Sequence, residues 1–171
     1  PFPSVMATEN LLITGSLAKG VTIIHNAAME PEIVDLIKLL QKMGAIIEIK
    51  VDRRIVIEGV DRLHGASHKL LSDRNEAVSL AVATYLTKGD VYLRGAQQDT
   101  LLTFLNTLSK MKLRFDIDDE GIRFIGDELP PPALALETDV HPGFMTDWQQ
   151  PFTVLLTQAD GISVVHETIY E

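Results

Sequence analysis

The 171-residue sequence contains no cysteine, and its 15 lysines and arginines are outnumbered by 24 aspartates and glutamates. Without cysteine the chain cannot form disulfides, thiolate metal sites or a thiol nucleophile, which fits a cytosolic protein. A formal net charge of -9 argues against nucleic acid and anionic membrane surfaces as main partners, because both attract concentrated lysine and arginine. An anionic ligand would therefore be held by a few local cations or by helix N-termini.

Long apolar runs and cofactor motifs are also missing. No apolar stretch approaches the roughly 20 residues of a membrane-spanning helix, and the N-terminal residues lack the pattern of an export signal. The sequence has no glycine-rich phosphate loop, GxSxG or CxxC motif, so it suggests no metal, flavin or nicotinamide cofactor. The opening PFPSV, without an initiator methionine, and the strand-like ending ISVVHETIYE suggest part of a longer protein.

What the sequence does contain is an internal repeat. LAKGVTIIHNA at residues 17–27 recurs as LTKGDVYLRGA at residues 86–96 and, more distantly, as ADGISVVHETI at residues 159–169. Each copy follows an apolar segment that is typical of a helix, and each is rich in strand-forming residues. Hydrophobic residues make up 46% of the chain, which is enough for one or two compact cores.

The elements around the first copy follow from periodicity and helix-stop residues. Pro31 suits a first helical turn, and Gly20 and Gly44 are placed to end two helices. The predicted elements are helices over residues 8–18 and 30–43 and strands over residues 21–24, 46–51 and 54–58. We expect the complete unit to follow the order strand, helix, strand, helix, strand, strand.

The second copy matches the first element by element. It predicts helices over residues 73–86 and 100–111 and strands over residues 91–93, 114–117 and 122–125, with a hairpin turn at residues 119–121. LAVATYL at residues 80–86 has little polar surface, which favours an α/β (α+β) architecture with buried helices and outward-facing sheets. DELPPP at residues 127–132 predicts a joint between units, because its prolines interrupt helices and strands.

The segment HPGFMTDWQQ, residues 141–150, is the one stretch whose composition packing alone does not explain. Its Pro-Gly pair breaks any preceding strand. Thr146 followed three residues later by Gln149 matches a capping box, so we expect a helix to begin at Asp147. By the spacing of the repeat, Met6 and Asn75 occupy equivalent helix starts. Three such positive helix ends would form a surface that favours anions.

Six segments together resemble a known enzyme family, the UDP-N-acetylglucosamine enolpyruvyl transferases. These segments are SVMATENLL, EPEIVDL, RIVIEGVDRL, LSDRNEA, HPGFMTDWQQ and ETIYE. HPGFxTDxQ followed by ETIYE is specific to this family, whereas the shikimate-pathway enolpyruvyl transferase shares the fold without these words. The resemblance implies two domains, each of three βαβαββ units in an inside-out α/β barrel, with the active site between them.

The resemblance also assigns units and an activity. It implies that residues 1–67 are the last unit of one barrel domain, residues 68–132 the first unit of the other, and residues 133–171 the start of the next. The family transfers enolpyruvyl from phosphoenolpyruvate to the 3-hydroxyl of UDP-N-acetylglucosamine, releasing phosphate in the first committed step of peptidoglycan synthesis. The alternative is a catalytically incomplete fragment that binds a nucleotide sugar or is structural. We expect the segment alone to show no turnover.

Asp147 is the candidate catalytic residue. The resemblance implies that it contacts the sugar 3-hydroxyl and takes its proton as the oxygen attacks C2 of phosphoenolpyruvate. A helix N-terminus stabilises the carboxylate as an anion and so weakens it as a base, an effect that closure and removal of water would have to oppose. The alternative is a first-turn acid that contributes about 0.3–1 kcal/mol to helix stability.

Two further groups of residues match the family's substrate contacts. Ser4, Val5 and Met6 match the helix start that holds the nucleotide diphosphate, although Met6 stands where the family would have glycine, and Ser4 alone would suit an ordinary cap. Ile169 and Tyr170 match residues that line the sugar and uracil side; otherwise they would be strand residues facing a core.

Arg74 and two histidines complete the candidates. Arg74 lies near a domain crossing, where it would pair with acids on cleft closure; an exposed ion pair, worth less than about 1 kcal/mol, is the alternative. His64 and His68 have the spacing of a helical metal pair, but Gly65 between them favours a solvated turn.

Overall fold

The computed structural model describes residues 3–126 and 130–170 of the chain. These residues form a mixed structure of five helices and eight strands, as expected for the α/β class. The chain divides into two compact units, Pro1–Leu71 and Ser72–Glu171, each with its own hydrophobic core. The predicted joint at residues 127–132 and the ends of the PFPSV and ETIYE segments lie partly outside the described residues.

The first unit packs two helices against a three-stranded sheet. Its elements are α1 (Val5–Gly15), β1 (Val21–Ile24), α2 (Pro31–Lys42), β2 (Ile46–Lys50) and β3 (Arg54–Glu58). β3 lies in the centre and pairs antiparallel with both β1 and β2. Ile33 and Ile37 on one face of α2 meet Ile55 and Ile57 of β3 in a core that excludes water.

The second unit repeats this arrangement and extends it. Its elements are α3 (Arg74–Leu86), β4 (Asp90–Arg94), α4 (Gln98–Lys110), β5 (Arg114–Ile117), β6 (Gly121–Ile125), β7 (Ala135–Glu137), α5 (Thr146–Leu156) and β8 (Val164–His166). β6 lies between β4 and β5 and is antiparallel to both, while β7 and β8 form a parallel pair. The strand order β4-β6-β5 reproduces β1-β3-β2, so the sequence repeat is a structural repeat.

Two details of the predicted repeat differ from the structure. The first helix begins at Val5 rather than at residue 8, because Ser4 caps it and accepts a hydrogen bond from the backbone N–H of Ala7 (3.3 Å). It ends at Gly15 rather than at residue 18, so Gly20 lies beyond the helix and does not cap it. A strand ahead of the first helix of a unit is seen only as β7. Among the described residues no strand precedes α1, and residues 59–73 contain none.

The first helix of each unit is covered on one side only. On α1, Leu12 is fully buried, but the Met6, Leu11 and Ile13 side chains are 68%, 44% and 50% exposed. On α3, Val78 is buried whereas Leu80 is 49% exposed. Complete burial of these helices, predicted from their apolar composition, is therefore not met within the described residues.

An aromatic cluster joins α4 and α5 in the second core. Phe104, Trp148 and Phe152 are almost completely buried, and Phe104 packs edge-on to the other two rings with centroids 6.0 Å away. Phe144, just before α5, lies 5.2 Å from Phe152 in the same manner. Such pairs contribute about 0.5–1.5 kcal/mol each beyond burial, so the N-terminus of α5 is firmly fixed to its unit.

Candidate functional site

The loop that leads into α5 is closed on itself. The backbone N–H of Asp139 donates to the Phe144 carbonyl (2.9 Å), and that of Gly143 donates to the Val140 carbonyl (2.7 Å). A Cβ on Gly143 would lie 2.5 Å from the Asp139 Cβ, so only glycine fits. The buried Phe144 ring packs 5.5 Å from Trp148. Packing therefore explains more of the HPGFMTDWQQ segment than its sequence suggests.

The predicted capping box at the start of α5 is wrong. The helix begins at Thr146, one residue earlier than predicted, and Met145 occupies the N-cap position without a side-chain hydrogen bond. The Thr146 hydroxyl instead donates to Oε2 of Glu167 (2.8 Å). The Thr146 hydroxyl thus bonds to a residue that is distant in the sequence and not to Gln149, the partner that the capping box predicted.

Asp147 is the second residue of α5 and is exposed. No described residue forms a hydrogen bond or ion pair with its carboxylate, while the next side chain, Trp148, is only 2% exposed. Met6 and Asn75 likewise stand second in α1 and α3, so the predicted equivalence of the three positions is confirmed. The Asp147 carboxylate is thus available to a ligand at a helix N-terminus.

The starts of α3 and α5 are joined in the second unit. The indole Nε1 of Trp148 donates to Oδ1 of Asn75 (2.9 Å), and the guanidinium of Arg74 lies 5.4 Å from the indole ring centroid. Arg74 is only 2% exposed, so the alternative of an exposed ion pair is wrong. A cation on the face of an indole is stabilised by about 0.5–2 kcal/mol, which helps to hold Arg74 beside this helix start.

Ile169 and Tyr170 lie in a turn after β8 rather than in a strand. Their backbone N–H groups donate to Oε1 of Glu167 at 2.7 and 3.2 Å. Ile169 is half-buried and Tyr170 is 70% exposed, so Tyr170 does not face a core. Burial raises the pKa of Glu167, but hydrogen bonds from Ile169, Thr146, Thr138 and Tyr170 outweigh it and hold that pKa below its usual value.

Ser4, Val5 and Met6 form the start of α1 in the first unit. The Ser4 hydroxyl accepts from the Ala7 N–H, so the ordinary capping role is present. The first backbone N–H groups of a helix have no partner within the helix, which leaves Val5 and Met6 able to donate to an anion. The Met6 side chain is largely exposed and does not fill the unit's core.

The two candidate histidines have different surroundings. The His68 imidazole is 7% exposed, and its Nε2 lies 2.9 Å from Oδ1 of Asp35. The other oxygen of Asp35, Oδ2, accepts a hydrogen bond from the Leu71 N–H (3.3 Å). His64 lies beside the backbone carbonyl of Gly65 (3.1 Å). A solvated turn is therefore the wrong interpretation for His68, which attaches the segment after β3 to α2.

The outer face of the second sheet carries a separate polar cluster. It lines an open depression of about 700 Å³ formed by Asp90, Tyr92, Asp116, Ile117, Asp118 and Arg123. The Tyr92 hydroxyl donates to Asp118 (2.7 Å), and Arg123 pairs with Asp90 through two nitrogens. Within residues 3–126 and 130–170, no group of three or more metal-ligating side chains occurs, and no helix has the length and hydropathy needed to cross a bilayer.

Sequence reasoning missed Glu167 as a member of the site. The residue lies within the ETIYE segment, but its contact to Thr146 spans 21 positions, and no local pattern reveals it. One signal was present in the sequence: a carboxylate side chain can accept hydrogen bonds from backbone N–H groups two and three residues later, as Glu167 does from Ile169 and Tyr170.

Comparisons with known proteins agree with the family resemblance of the sequence. Residues 1–171 match the protein family described as EPSP synthase (3-phosphoshikimate 1-carboxyvinyltransferase). The UDP-N-acetylglucosamine 1-carboxyvinyltransferase of Protochlamydia amoebophila (strain UWE25) is 56% identical over 171 residues, which cover 100% of this chain and 37% of the relative. The protein named UDP-N-acetylglucosamine 1-carboxyvinyltransferase 1 of Staphylococcus aureus (strain N315) is 43% identical, over 99% of this chain and 40% of its own length.

A solved structure shows the same fold. The crystal structure of the enolpyruvyl transferase NikO from Streptomyces tendae aligns with a TM-score of 0.85 at 23% identity, over 98% of this chain and 40% of that chain. The prediction of an enolpyruvyl transferase fold is thereby confirmed. The chain spans well under half the length of these relatives.

Proposed function

Because this chain belongs to the EPSP synthase family, whose members transfer a carboxyvinyl group, we propose that the protein containing it transfers enolpyruvyl from phosphoenolpyruvate to UDP-N-acetylglucosamine. The observation that carries the proposal is the exposed Asp147 carboxylate at a helix start, inside the HPGFMTDWQQ segment. The 56% identity to a relative named for this activity favours UDP-N-acetylglucosamine over shikimate 3-phosphate as the acceptor.

Asp147 is exposed in the first turn of α5, so a substrate hydroxyl can reach its carboxylate. The sugar 3-hydroxyl oxygen would attack C2 of phosphoenolpyruvate while Asp147 takes the hydroxyl proton and C3 gains a proton from an acid elsewhere in the protein. Loss of phosphate and of a C3 proton then yields the enolpyruvyl ether. Binding of the substrates would exclude water from the reacting groups.

The remaining candidates would bind the nucleotide sugar. The free N–H groups of Val5 and Met6, with the Ser4 cap, suit the diphosphate, since a helix N-terminus stabilises negative charge. Ile169 and Tyr170 would line the sugar and uracil side, where the exposed Tyr170 ring offers an apolar face. Arg74, the first residue of α3, would pair with acidic side chains when the cleft closes.

The proposed activity also implies how the chain fits into the whole protein. Residues 1–67 would end one barrel domain, residues 68–132 would begin the other, and residues 133–171 would begin its next unit. The reaction would supply peptidoglycan synthesis from the cytoplasm, where UDP-N-acetylglucosamine and phosphoenolpyruvate are available.

The test uses the full-length protein with Asp147→Asn. Phosphate release is measured with phosphoenolpyruvate and either UDP-N-acetylglucosamine or shikimate 3-phosphate as acceptor. We expect turnover only with the nucleotide sugar, and a fall in kcat of about 10²- to 10⁴-fold in the variant, as for the loss of a general base. The thermal unfolding temperature should fall by no more than about 4 °C, because the exposed Asp147 carboxylate contributes only about 0.3–1 kcal/mol to its helix.

Asp99→Asn is the matched control. Asp99 is another exposed acid in the first turn of a helix, α4, so its replacement changes the same helix-dipole term. It should keep the parental kcat. Parental turnover by Asp147→Asn, or a preference of the unchanged protein for shikimate 3-phosphate, would contradict the proposal.

A further inference from the structure

One carboxylate in the second unit connects the start of α5 to the turn after β8. Oε2 of Glu167 accepts from the Thr146 hydroxyl at the start of α5 (2.8 Å). Oε1 accepts from the backbone N–H groups of Ile169 (2.7 Å) and Tyr170 (3.2 Å). Both oxygens of Glu167 therefore accept hydrogen bonds from other parts of the unit.

A second set of hydrogen bonds fixes the same turn. The Thr138 side chain is fully buried, and its hydroxyl accepts from the N–H of Thr168 (2.9 Å). The Thr168 hydroxyl donates back to the Thr138 carbonyl (2.6 Å), and the Thr138 N–H donates to the carbonyl of His166 (3.0 Å). The turn after β8 is thus attached to β7 independently, which leaves the Thr146 contact as the distinctive role of Glu167.

We propose that Glu167 is a positioning residue that fixes the distance between Asp147 and the Ile169–Tyr170 turn, and so aligns the nucleotide sugar for proton removal. The proposal rests on the proposed function, since it concerns the same sugar site. Asp147 directly follows Thr146, which Glu167 holds, and Ile169 follows Glu167 by two residues. A rigid carboxylate therefore connects the proton acceptor to the residues that would line the sugar.

The hydrogen bonds that Glu167 accepts argue against a direct chemical role for it. A carboxylate that accepts several hydrogen bonds is stabilised as the anion, and the lowered pKa of Glu167 agrees with this. Such a group is a poor proton carrier at neutral pH but a firm anchor. Because a displacement of about 1 Å at a reacting centre can cost about 100-fold in rate, a loose anchor would be felt in turnover.

The test measures steady-state phosphate release by the full-length protein with each substrate varied in turn. Glu167→Ala should lower kcat/KM for UDP-N-acetylglucosamine by about 10- to 100-fold, with an unchanged KM for phosphoenolpyruvate. Glu167→Gln should recover most of the loss, because the amide oxygen can accept from the two N–H groups while the NH₂ donates to the Thr146 hydroxyl. Thr146→Val, which deletes one hydrogen bond and keeps the side-chain shape, should lower the same parameter less.

Glu137→Gln is the control. Glu137 is an exposed carboxylate of β7 that pairs only with the exposed His166 (3.0 Å) among the described residues, and its replacement should leave kcat/KM at the parental value. The proposal is overturned if Glu167→Ala and Thr146→Val keep parental kcat/KM, if Gln is as damaging as Ala, or if both KM values rise together. Absence of turnover in the unchanged protein would instead refute the proposed function.

Discussion

Asp147 and Glu167 show how surroundings divide the work between two carboxylates. Asp147 is exposed and has no partner among the described residues, so a bound hydroxyl can reach it. Glu167 accepts hydrogen bonds on both oxygens from Thr146 and from the turn that follows it. Side chains of the same charge, in one site, are therefore suited to different tasks: one to accept a proton and one to hold the backbone.

The Tyr92–Asp118 pair gives a residue-scale prediction. The Tyr92 hydroxyl donates to Asp118 (2.7 Å), which raises the pKa of Tyr92 from 10.0 to about 12. Asp118→Asn should return that pKa towards 10, because it removes the charged acceptor. Spectrophotometric titration, with Tyr92→Phe to identify the transition, should find Tyr92 still protonated at pH 10 in the parent and about half ionised in the variant.

The sign of the pH dependence follows from this shift. Because the folded pKa of Tyr92 exceeds the unfolded one, the pair stabilises the fold fully below pH 10 and loses that contribution as the pH rises towards 12. Glu120→Gln is the matched control, since the Glu120 charge acts on Tyr92 more weakly than Asp118 does. An unchanged titration midpoint in Asp118→Asn would show that the hydrogen bond is not the cause.

The position and contacts of a residue could be predicted where its partners are near in the sequence, but not where they are distant. Repeat arithmetic placed Met6, Asn75 and Asp147 at equivalent helix starts, as in the structure, although α5 begins one residue before the predicted Asp147. The cap assigned to Thr146 was wrong, because Glu167, 21 positions away, takes its hydroxyl. His68 was assigned to a solvated turn, yet its partner Asp35 lies 33 positions away on α2. No window of neighbouring residues contains such partners.

At the scale of elements, the loop before α5 decides where that helix begins. Gly143→Ala would place a Cβ 2.5 Å from the Asp139 Cβ and 2.9 Å from the Val140 carbonyl. We expect it to lower the free energy of unfolding by about 1–3 kcal/mol, as overpacking does, and to lower kcat because the first turn of α5 shifts. Urea denaturation and phosphate release by the full-length protein would measure both effects.

Gly65→Ala is the control for this loop. An added Cβ at Gly65 meets nothing within 4 Å, so its replacement should change the free energy of unfolding by no more than about 0.5 kcal/mol. It should also leave kcat unchanged. If Gly143→Ala were equally harmless, the closed loop would have no part in placing Asp147.

Element types and order were largely readable from the sequence, but pairing was not. Alternating apolar residues gave β5 at its observed bounds, and Gly44 adopts the positive φ expected directly after α2. Gly20 also has a positive φ, but α1 already ends at Gly15, so the predicted helix cap at Gly20 is wrong. Nothing in the sequence showed that β3 lies between β1 and β2, because strand order depends on contacts across the unit. Once the strand order of the first unit is known, the sequence repeat predicts the order β4-β6-β5 in the second unit, as the structure shows.

At the scale of the whole molecule, one side of α1 exposes apolar side chains. Met6, Leu11 and Ile13 are 68%, 44% and 50% exposed, far more than an apolar helix of a folded domain usually allows. The chain spans 37% and 40% of the two relatives described above. The helix-in, sheet-out arrangement predicted from composition would therefore be completed by other parts of the full-length protein.

Cysteine labelling tests that arrangement, because the chain itself contains no cysteine. Leu11→Cys on α1 should react with a thiol reagent about 100-fold more slowly in the native full-length protein than after denaturation, since opening of a packed helix limits access. Glu48→Cys, on the outer face of β2, should react rapidly in both states because the Glu48 side chain is 62% exposed. Mass spectrometry of the labelled peptides would measure each rate. Rapid labelling at both positions would show that α1 stays exposed to water, and that the repeated units do not enclose their first helices.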